Sequence, residues 1–215
     1  MILTFEGGPA IGKSTIANKL ENSHGCYTIP EVNKLFGKEN RISDLWYYQK
    51  QAQRWELALH NQESTVLSIL DGDIFQPIWF SSLFPGKNSE SFDETVNFYS
   101  EMMLQDKVGF PNAYIYFHAE ERVRAKRERE RSVILGRSQK SIEQKISRYC
   151  DFTTLQKQYF SDLKKEFPDL VIFLESNEIE STIQSILSFS KRQQNDHWKI
   201  FNFIVEWCRN KEPLR

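Results

Sequence analysis

The sequence predicts an α/β fold built on a mostly parallel sheet, and three observations carry that expectation. Short apolar runs alternate with longer segments of helical period along the 215 residues, the pattern of repeated strand–helix–strand units. Five of these runs lack the polar alternation of a half-exposed strand, as strands covered on both faces do. A glycine-rich segment, Gly7-Gly8-Pro9-Ala10-Ile11-Gly12-Lys13-Ser14, stands between the first apolar run and the first helical stretch, where a strand must turn tightly into a helix. The composition agrees: 13% aromatic residues exclude wholesale disorder, and a formal charge of -1 excludes a whole-chain field drawing the protein onto nucleic acid or an anionic membrane.

The first strand is Ile2-Leu3-Thr4-Phe5, ending at Gly7-Gly8, and the helix after the glycine loop carries Ile16 and Leu20. The second strand is Cys26-Tyr27-Thr28-Ile29, stopped by Pro30, which cannot continue a buried ladder. From Asp44 to Gln62, Leu45, Tyr48, Ala52, Trp55 and Leu59 recur every three or four residues, so this segment is a helix with one core face. The third strand is Val66 to Leu70, and a loop is expected over Pro85-Gly86-Lys87-Asn88-Ser89. Phe92, Val96, Tyr99 and Met103 mark another packing helix, ahead of a fourth strand at Ala113 to Phe117. A charged segment and a loop at Gly136-Arg137-Ser138-Gln139 follow, then a helix carrying Phe152, Leu155, Tyr159 and Leu163. Leu170 to Leu174 is the fifth strand, and Ile179, Ile183 and Ile186 belong to the helix after it. Beyond the polar stretch Lys191 to Asp196, Trp198, Phe201, Val205 and Cys208 form a last helix that either closes the fold or packs on a partner chain.

No run of apolar residues is long enough to span a membrane, and three widely spaced cysteines give neither a disulfide framework nor a zinc pattern. A cytoplasmic protein without membrane or nucleic-acid partners is expected, with each cysteine a small buried hydrophobe and a homodimer left open.

The glycine loop fits G-x-x-x-x-G-K-[ST] in full, with the strand and helix that this pattern requires on either side. Its chemistry is phosphate binding: glycines let backbone N–H groups turn inward, and the following helix presents its positive end. Gly7, Gly8, Pro9, Ala10, Ile11, Gly12, Lys13, Ser14 and Thr15 are therefore the candidate nucleotide-binding residues. Lys13 would bridge the β- and γ-phosphates of ATP, and Ser14 would offer a hydroxyl to Mg²⁺.

Polar residues at the ends of the other strands narrow the chemistry. Glu31 follows the second strand, where a carboxylate is either a solvated loop residue or a general base reaching a substrate hydroxyl. Asp71-Gly72-Asp73 follows the third strand, and either makes a polar turn or supplies Asp71 to Mg²⁺ with Asp73 beside the substrate. After the fourth strand, the segment from Glu120 to Arg131 holds six cations, and Arg124, Arg127 and Arg131 share one helical face. Interleaved glutamates would suit an exposed salt-bridged helix, whereas the richness in arginine suits bidentate phosphate contacts.

A P-loop and helix, Pro30-Glu31 after the second strand, the helix with Trp46-Tyr47-Tyr48-Gln49, an acid after the third strand and an arginine-rich segment after the fourth together resemble the deoxynucleoside kinases, from Ile2 to about Leu187. The resemblance implies a P-loop NTPase fold: a five-stranded parallel sheet in the order 2-3-1-4-5, flanked by helices, with ATP under a mobile Arg-rich lid. It divides the chain into a kinase domain over residues 1–190, with the lid at about 120–138, and a C-terminal helical extension over 191–215. It implies Glu31 as the base, Gln49 at the edge of a nucleoside base and Trp46 and Tyr47 as walls of its pocket, although Trp46 equally suits core packing. Asp71 matches the metal position, and Arg127 and Arg131 match the lid arginines.

The chain departs from that family at Gly72, where the family has arginine, and at Pro77, where it has a base-reading aspartate. An ATP-dependent kinase of a small-molecule hydroxyl, with a nucleoside as acceptor, is the expected function. A nucleoside monophosphate kinase similar to thymidylate kinase would need cations near Glu31, for which Lys34, Arg41 and Arg54 are available. An antibiotic kinase is a further alternative, and a nucleotide-dependent switch without metabolite kinase activity is one from another class.

Overall fold

The computed structural model describes residues 1–37, 45–84, 91–176, 178–189 and 196–211. Five parallel strands form one sheet: β1 (Ile2–Glu6), β2 (Tyr27–Ile29), β3 (Ser68–Asp71), β4 (Ala113–His118) and β5 (Val171–Glu175), in the order β2-β3-β1-β4-β5. The expected order is thus the observed one, and each strand lies within two residues of its sequence-derived position.

The two covered faces explain why the strands read as continuous apolar runs. Along β4, Ala113, Ile115 and Phe117 face one core, while Tyr114 and Tyr116 face the other. Along β1, Leu3 and Phe5 join the first of these cores and Ile2 the second. The smaller core is covered by α1 (Lys13–His24) through Ile16, Ala17 and Leu20, and by α8 (Ile179–Leu187) through Ile183 and Ile186.

The larger core is aromatic. It gathers α3 (Trp46–Asn61), α4 (Gln76–Leu83), α5 (Phe92–Leu104), the second half of α7 (Gln139–Glu166) and α9 (His197–Arg209). Trp79 of α4 is fully buried against Tyr159 of α7, with ring centroids 5.8 Å apart. The last helix closes this layer: Ile200 and Ile204 are buried, Trp207 donates to Asp162 at 3.1 Å, and Ser82 of α4 donates to the Cys208 carbonyl at 3.0 Å. Between the alternatives left open by its spacing, α9 is seen closing the fold.

Two helices are not visible in the spacing. α4, QPIWFSSL, buries residues all round and has no polar face to set a period, while α2 (Val32–Leu35) is a single turn. The long helix α7 begins well before its apolar stripe; its first half packs Ile142 and Ile146 against Ala125 of α6 (Glu121–Ile134), apart from the main cores. The turn expected at Gly136-Arg137-Ser138 joins α6 to α7, with Gly136 at φ +67° and Ser138 capping α7. The loop placed at Pro85 to Ser89 lies outside the described residues, as do Arg41 and the stretch from Lys191 to Asn195. Cys26 and Cys208 are buried as expected; Cys150 is instead exposed, because it lies on the solvent side of α7. Among the described residues no helix is long and apolar enough to cross a membrane.

Candidate functional site

In parallel sheets of this kind the strand ends and the loops after them form the binding edge. Here the ends of β1, β2 and β3, the start of α1 and the inner face of α6 enclose a cleft of about 710 Å³. Gly8 through Ile16, Glu31, Asp71, Arg127 and Arg131 all line it. Residues far apart in sequence therefore meet in one place.

The glycine loop leaves β1 at Glu6 and enters α1 at Lys13. Two of its glycines have physical reasons to be glycine. Gly7 sits at φ +124°, and an added Cβ would come within 2.4 Å of the Phe117 carbonyl oxygen on the neighbouring strand. Gly12 caps α1 at φ +104°, with open space where a Cβ would stand. The first N–H groups of α1 have no partner within the helix and face an anion-binding end.

Lys13 folds back over this loop, its ammonium donating to the Gly7 carbonyl and to that of Gly8 at 3.2 Å. Burial pulls its pKa below the ordinary lysine value, against the opposing influence of Glu6, Asp71 and Glu31. Across the cleft, Arg127 donates to the Ile11 carbonyl at 3.3 Å and to the Ser176 carbonyl at 3.1 Å, which ties α6 to the loop and to the end of β5. Arg131, one turn on, lines the cleft from an exposed position. Arg124 shares their helical face in sequence but serves the fold instead, since it is buried, pairs with Glu121 at 2.8 Å and packs behind Gly8.

Glu31 is exposed at the N-cap of α2, and its carbonyl accepts from the N–H groups of Lys34 and Leu35. The short turn brings Lys34 round to Asp71, with Nζ 2.9 Å from Oδ2. Arg54 holds this arrangement from below. It is 1% exposed, donates Nε to the Pro30 carbonyl at 2.8 Å and Nη2 to the Asp71 carbonyl at 2.7 Å, and so clamps the ends of β2 and β3 together. Gly72, where the resemblance leads one to expect arginine, lies at φ +92°, and the Arg54 guanidinium also reaches its carbonyl at 3.1 Å.

Glu6 forms a second clamp. Its carboxyl is 4% exposed, accepts from the Asp73 N–H and, at 2.7 Å, from the Gln156 amide. Burial, with the Asp73 charge adding to it, pushes its pKa up to about 7. Asp73 is buried behind the cleft, where Oδ1 accepts from the Tyr114 hydroxyl at 3.0 Å and the Phe75 N–H at 3.1 Å, and burial raises its pKa to about 6. Its Oδ2, Trp79 Nε1, Gln156 Oε1 and the Tyr159 hydroxyl are buried without hydrogen-bond partners among the described residues.

Lys13, Ser14, Glu31, Asp71, Arg127 and Arg131 thus share one cleft, while Trp46, Gln49 and Asp73 do not line it. Trp46 is buried at the start of α3 and Gln49 is exposed on that helix; the amide turned inward is Gln51, which accepts from Arg54 at 2.6 Å. Sequence reasoning overlooks Glu6, which lies in a run whose composition marks only a strand; Lys34 and Arg54 are named there only as cations available near Glu31, and the structure brings both to the ends of β2 and β3.

The cleft fits a nucleotide with Mg²⁺. The loop leaves open space at Gly12, the N-cap of α1, and the start of that helix lines the cleft with its first N–H groups unpaired within the helix. Among the described residues no cluster of three or more His, Cys, Asp or Glu could hold a metal alone. Ser14 and Asp71 fit Mg²⁺ in the manner of sites completed by phosphate oxygens and water.

No protein-family model matches the chain, and no curated protein matches its sequence. Among solved structures, it is similar to the deoxyadenosine kinase from M. mycoides with bound dATP, at a TM-score of 0.53 and 20% identity over 87% of this chain and 97% of that one. A second structure of that kinase, with its products dCMP and a flexible dCDP, matches at a TM-score of 0.47 and 16% identity over the same shares. The first match places this chain in the same fold as that enzyme.

Proposed function

We propose that the protein is an ATP-dependent kinase that phosphorylates a hydroxyl of a small molecule, with a deoxynucleoside as the acceptor. The observation that carries this reading is the meeting of Lys13, Ser14, Glu31, Asp71, Arg127 and Arg131 in one cleft. A nucleotide-binding switch needs the loop and a metal carboxylate; the exposed glutamate and the facing arginines are what phosphoryl transfer adds. The fold shared with an enzyme named as a deoxyadenosine kinase supports the choice of acceptor class.

ATP with Mg²⁺ supplies the γ-phosphoryl group when bound. Lys13 would reach the phosphates from its place over the loop carbonyls, and Ser14 and Asp71 would hold the metal. Glu31, solvent-exposed and beside the cleft, takes the proton from the acceptor hydroxyl. Arg127 and Arg131 place charge over the migrating group, and the segment of about 120–138, α6 with the turn after it, serves as the lid that excludes water. Asp73 is buried behind the cleft with its Oδ2 unpartnered among the described residues, and Gln49 lies on the exposed side of α3, so neither lines the cleft. Residues 1–190 form the kinase domain, with α9 as a C-terminal element that completes its aromatic core.

Coupled ADP release with Mg²⁺ and ATP, against nucleosides, nucleoside monophosphates and hydroxylated antibiotics, tests the reading. ADP release stimulated by nucleosides and lost in Lys13→Ala is the expected result. Release stimulated by another acceptor class corrects the acceptor. ATP binding without stimulated release by any acceptor overturns the kinase reading in favour of a switch.

A further inference from the structure

The cleft holds a cation that the functional reading does not use. Lys34 projects from the turn after Glu31, lies 2.9 Å from Asp71 Oδ2 and lines the cleft together with Arg131. Its side chain is about half exposed, at 54%, whereas Asp71 is 9% exposed. The pair is therefore anchored on the carboxylate, and the long lysine side is free to swing.

Two further facts give that charge a role. Asp71 is the carboxylate read above as the Mg²⁺ ligand, and an ammonium bonded to it would compete with the metal for the same oxygen lone pairs. Gly72, the neighbouring position beside Glu31, has no side chain, and its φ of +92° disfavours any other residue. An added Cβ there would stand 3.9 Å from Glu31 Cγ, in the space where a cation next to the base would be useful.

We propose that Lys34 is a displaceable counter-ion of Asp71: it neutralises the carboxylate in the nucleotide-free site and, once Mg²⁺ arrives with ATP, swings its ammonium to the phosphoryl oxygens beside Glu31. The inference rests on the reading of Asp71 as the metal carboxylate. Lys34 has three N–H donors and no acceptor, which suits it to a phosphate as well as to a carboxylate. It also places positive charge where a substrate phosphate, or the phosphoryl group in flight, would carry negative charge.

The test uses the full-length protein and two readouts. Equilibrium binding of fluorescent ADP is titrated with Mg²⁺ in the wild type, Lys34→Met, Lys34→Arg and Asp71→Asn, and steady-state turnover is measured for the two Lys34 variants. Loss of the competing ammonium lowers the half-saturating Mg²⁺ concentration in Lys34→Met by about three- to fivefold, the scale of a partly exposed ion pair. Turnover of Lys34→Met falls by about tenfold or more, and Lys34→Arg restores most of it. An unchanged Mg²⁺ requirement in Lys34→Met overturns the proposal, and so does unchanged turnover. If Asp71→Asn leaves the Mg²⁺ requirement unchanged as well, the metal assignment of Asp71 has failed and the inference falls with it. If only Asp71→Asn shifts it, the assignment stands and the role of Lys34 alone is excluded.

Discussion

The side of the cleft proposed for phosphate and the side proposed for the acceptor are built by opposite means. On the phosphate side, nine consecutive residues from Gly7 to Thr15 make the loop and its helix start, and the geometry is carried by the backbone: positive φ at Gly7 and Gly12 and a carbonyl at Phe117 that leaves no room for a side chain. On the acceptor side, Glu31 and Asp71 come from different strands and are brought together by a third element, with Arg54 of α3 bonded to the carbonyls of Pro30 and Asp71. The first is a local device and the second a tertiary one. Damage should differ accordingly: changes in the loop abolish nucleotide chemistry in a folded protein, whereas changes in the clamp cost stability first.

Lys13→Ala should give the largest functional effect. Removing the one cation inside the loop is expected to reduce turnover by about a thousandfold, with the unfolding midpoint in urea little altered, because the hydrogen bonds of the ammonium go to two loop carbonyls and not between elements of the core. A loss of stability as large as the loss of activity would break the contrast between the two sides.

Arg54→Met tests the clamp. It leaves the carbonyls of Pro30 and Asp71 and the Gln51 amide oxygen without their donor, and should destabilise the fold by about 2–4 kcal/mol in chemical denaturation. Wild-type stability in this variant would show that the strand ends hold themselves together.

A smaller effect, visible only as a pH dependence, is expected at Glu6. Its folded pKa of about 7 lies above the ordinary glutamate value of 4.5, so the native state binds a proton that the unfolded chain releases. The contribution is complete below about pH 4.5 and is lost as pH rises through about 7. Glu6→Gln keeps an acceptor for the Asp73 N–H and removes the titration, so the decline in stability between these limits should become shallower by roughly 2–3 kcal/mol. Asp73 has a raised pKa of its own, so some slope should persist. Identical pH profiles for the two proteins would place the buried proton elsewhere.

The same contrast governs what can be read from the amino acids. The glycine loop is legible because its chemistry is compressed into eight residues with a strand before and a helix after. The strand order comes with the family resemblance, and the five strands come from their apolar runs. The resemblance puts Trp46 and Gln49 at a base pocket; neither lines the cleft, and the amide of α3 turned inward is Gln51, two positions on, which neither the helical stripe nor the resemblance picks out. Arg54 stands out in the sequence only as an available cation, since its value depends on carbonyls 24 and 17 residues away. α4 is hidden because a helix buried all round has no period to show.

The central claim is that the two sides act on one another through Glu31. The most direct measurement is single-turnover transfer of the γ-phosphoryl group by Glu31→Gln, with an acceptor that the wild type uses and with ATP affinity measured in parallel. Transfer slowed by about a hundredfold or more with ATP affinity unchanged is the predicted result. Transfer at the wild-type rate would contradict it and leave Glu31 an ordinary solvated residue at the mouth of a nucleotide site.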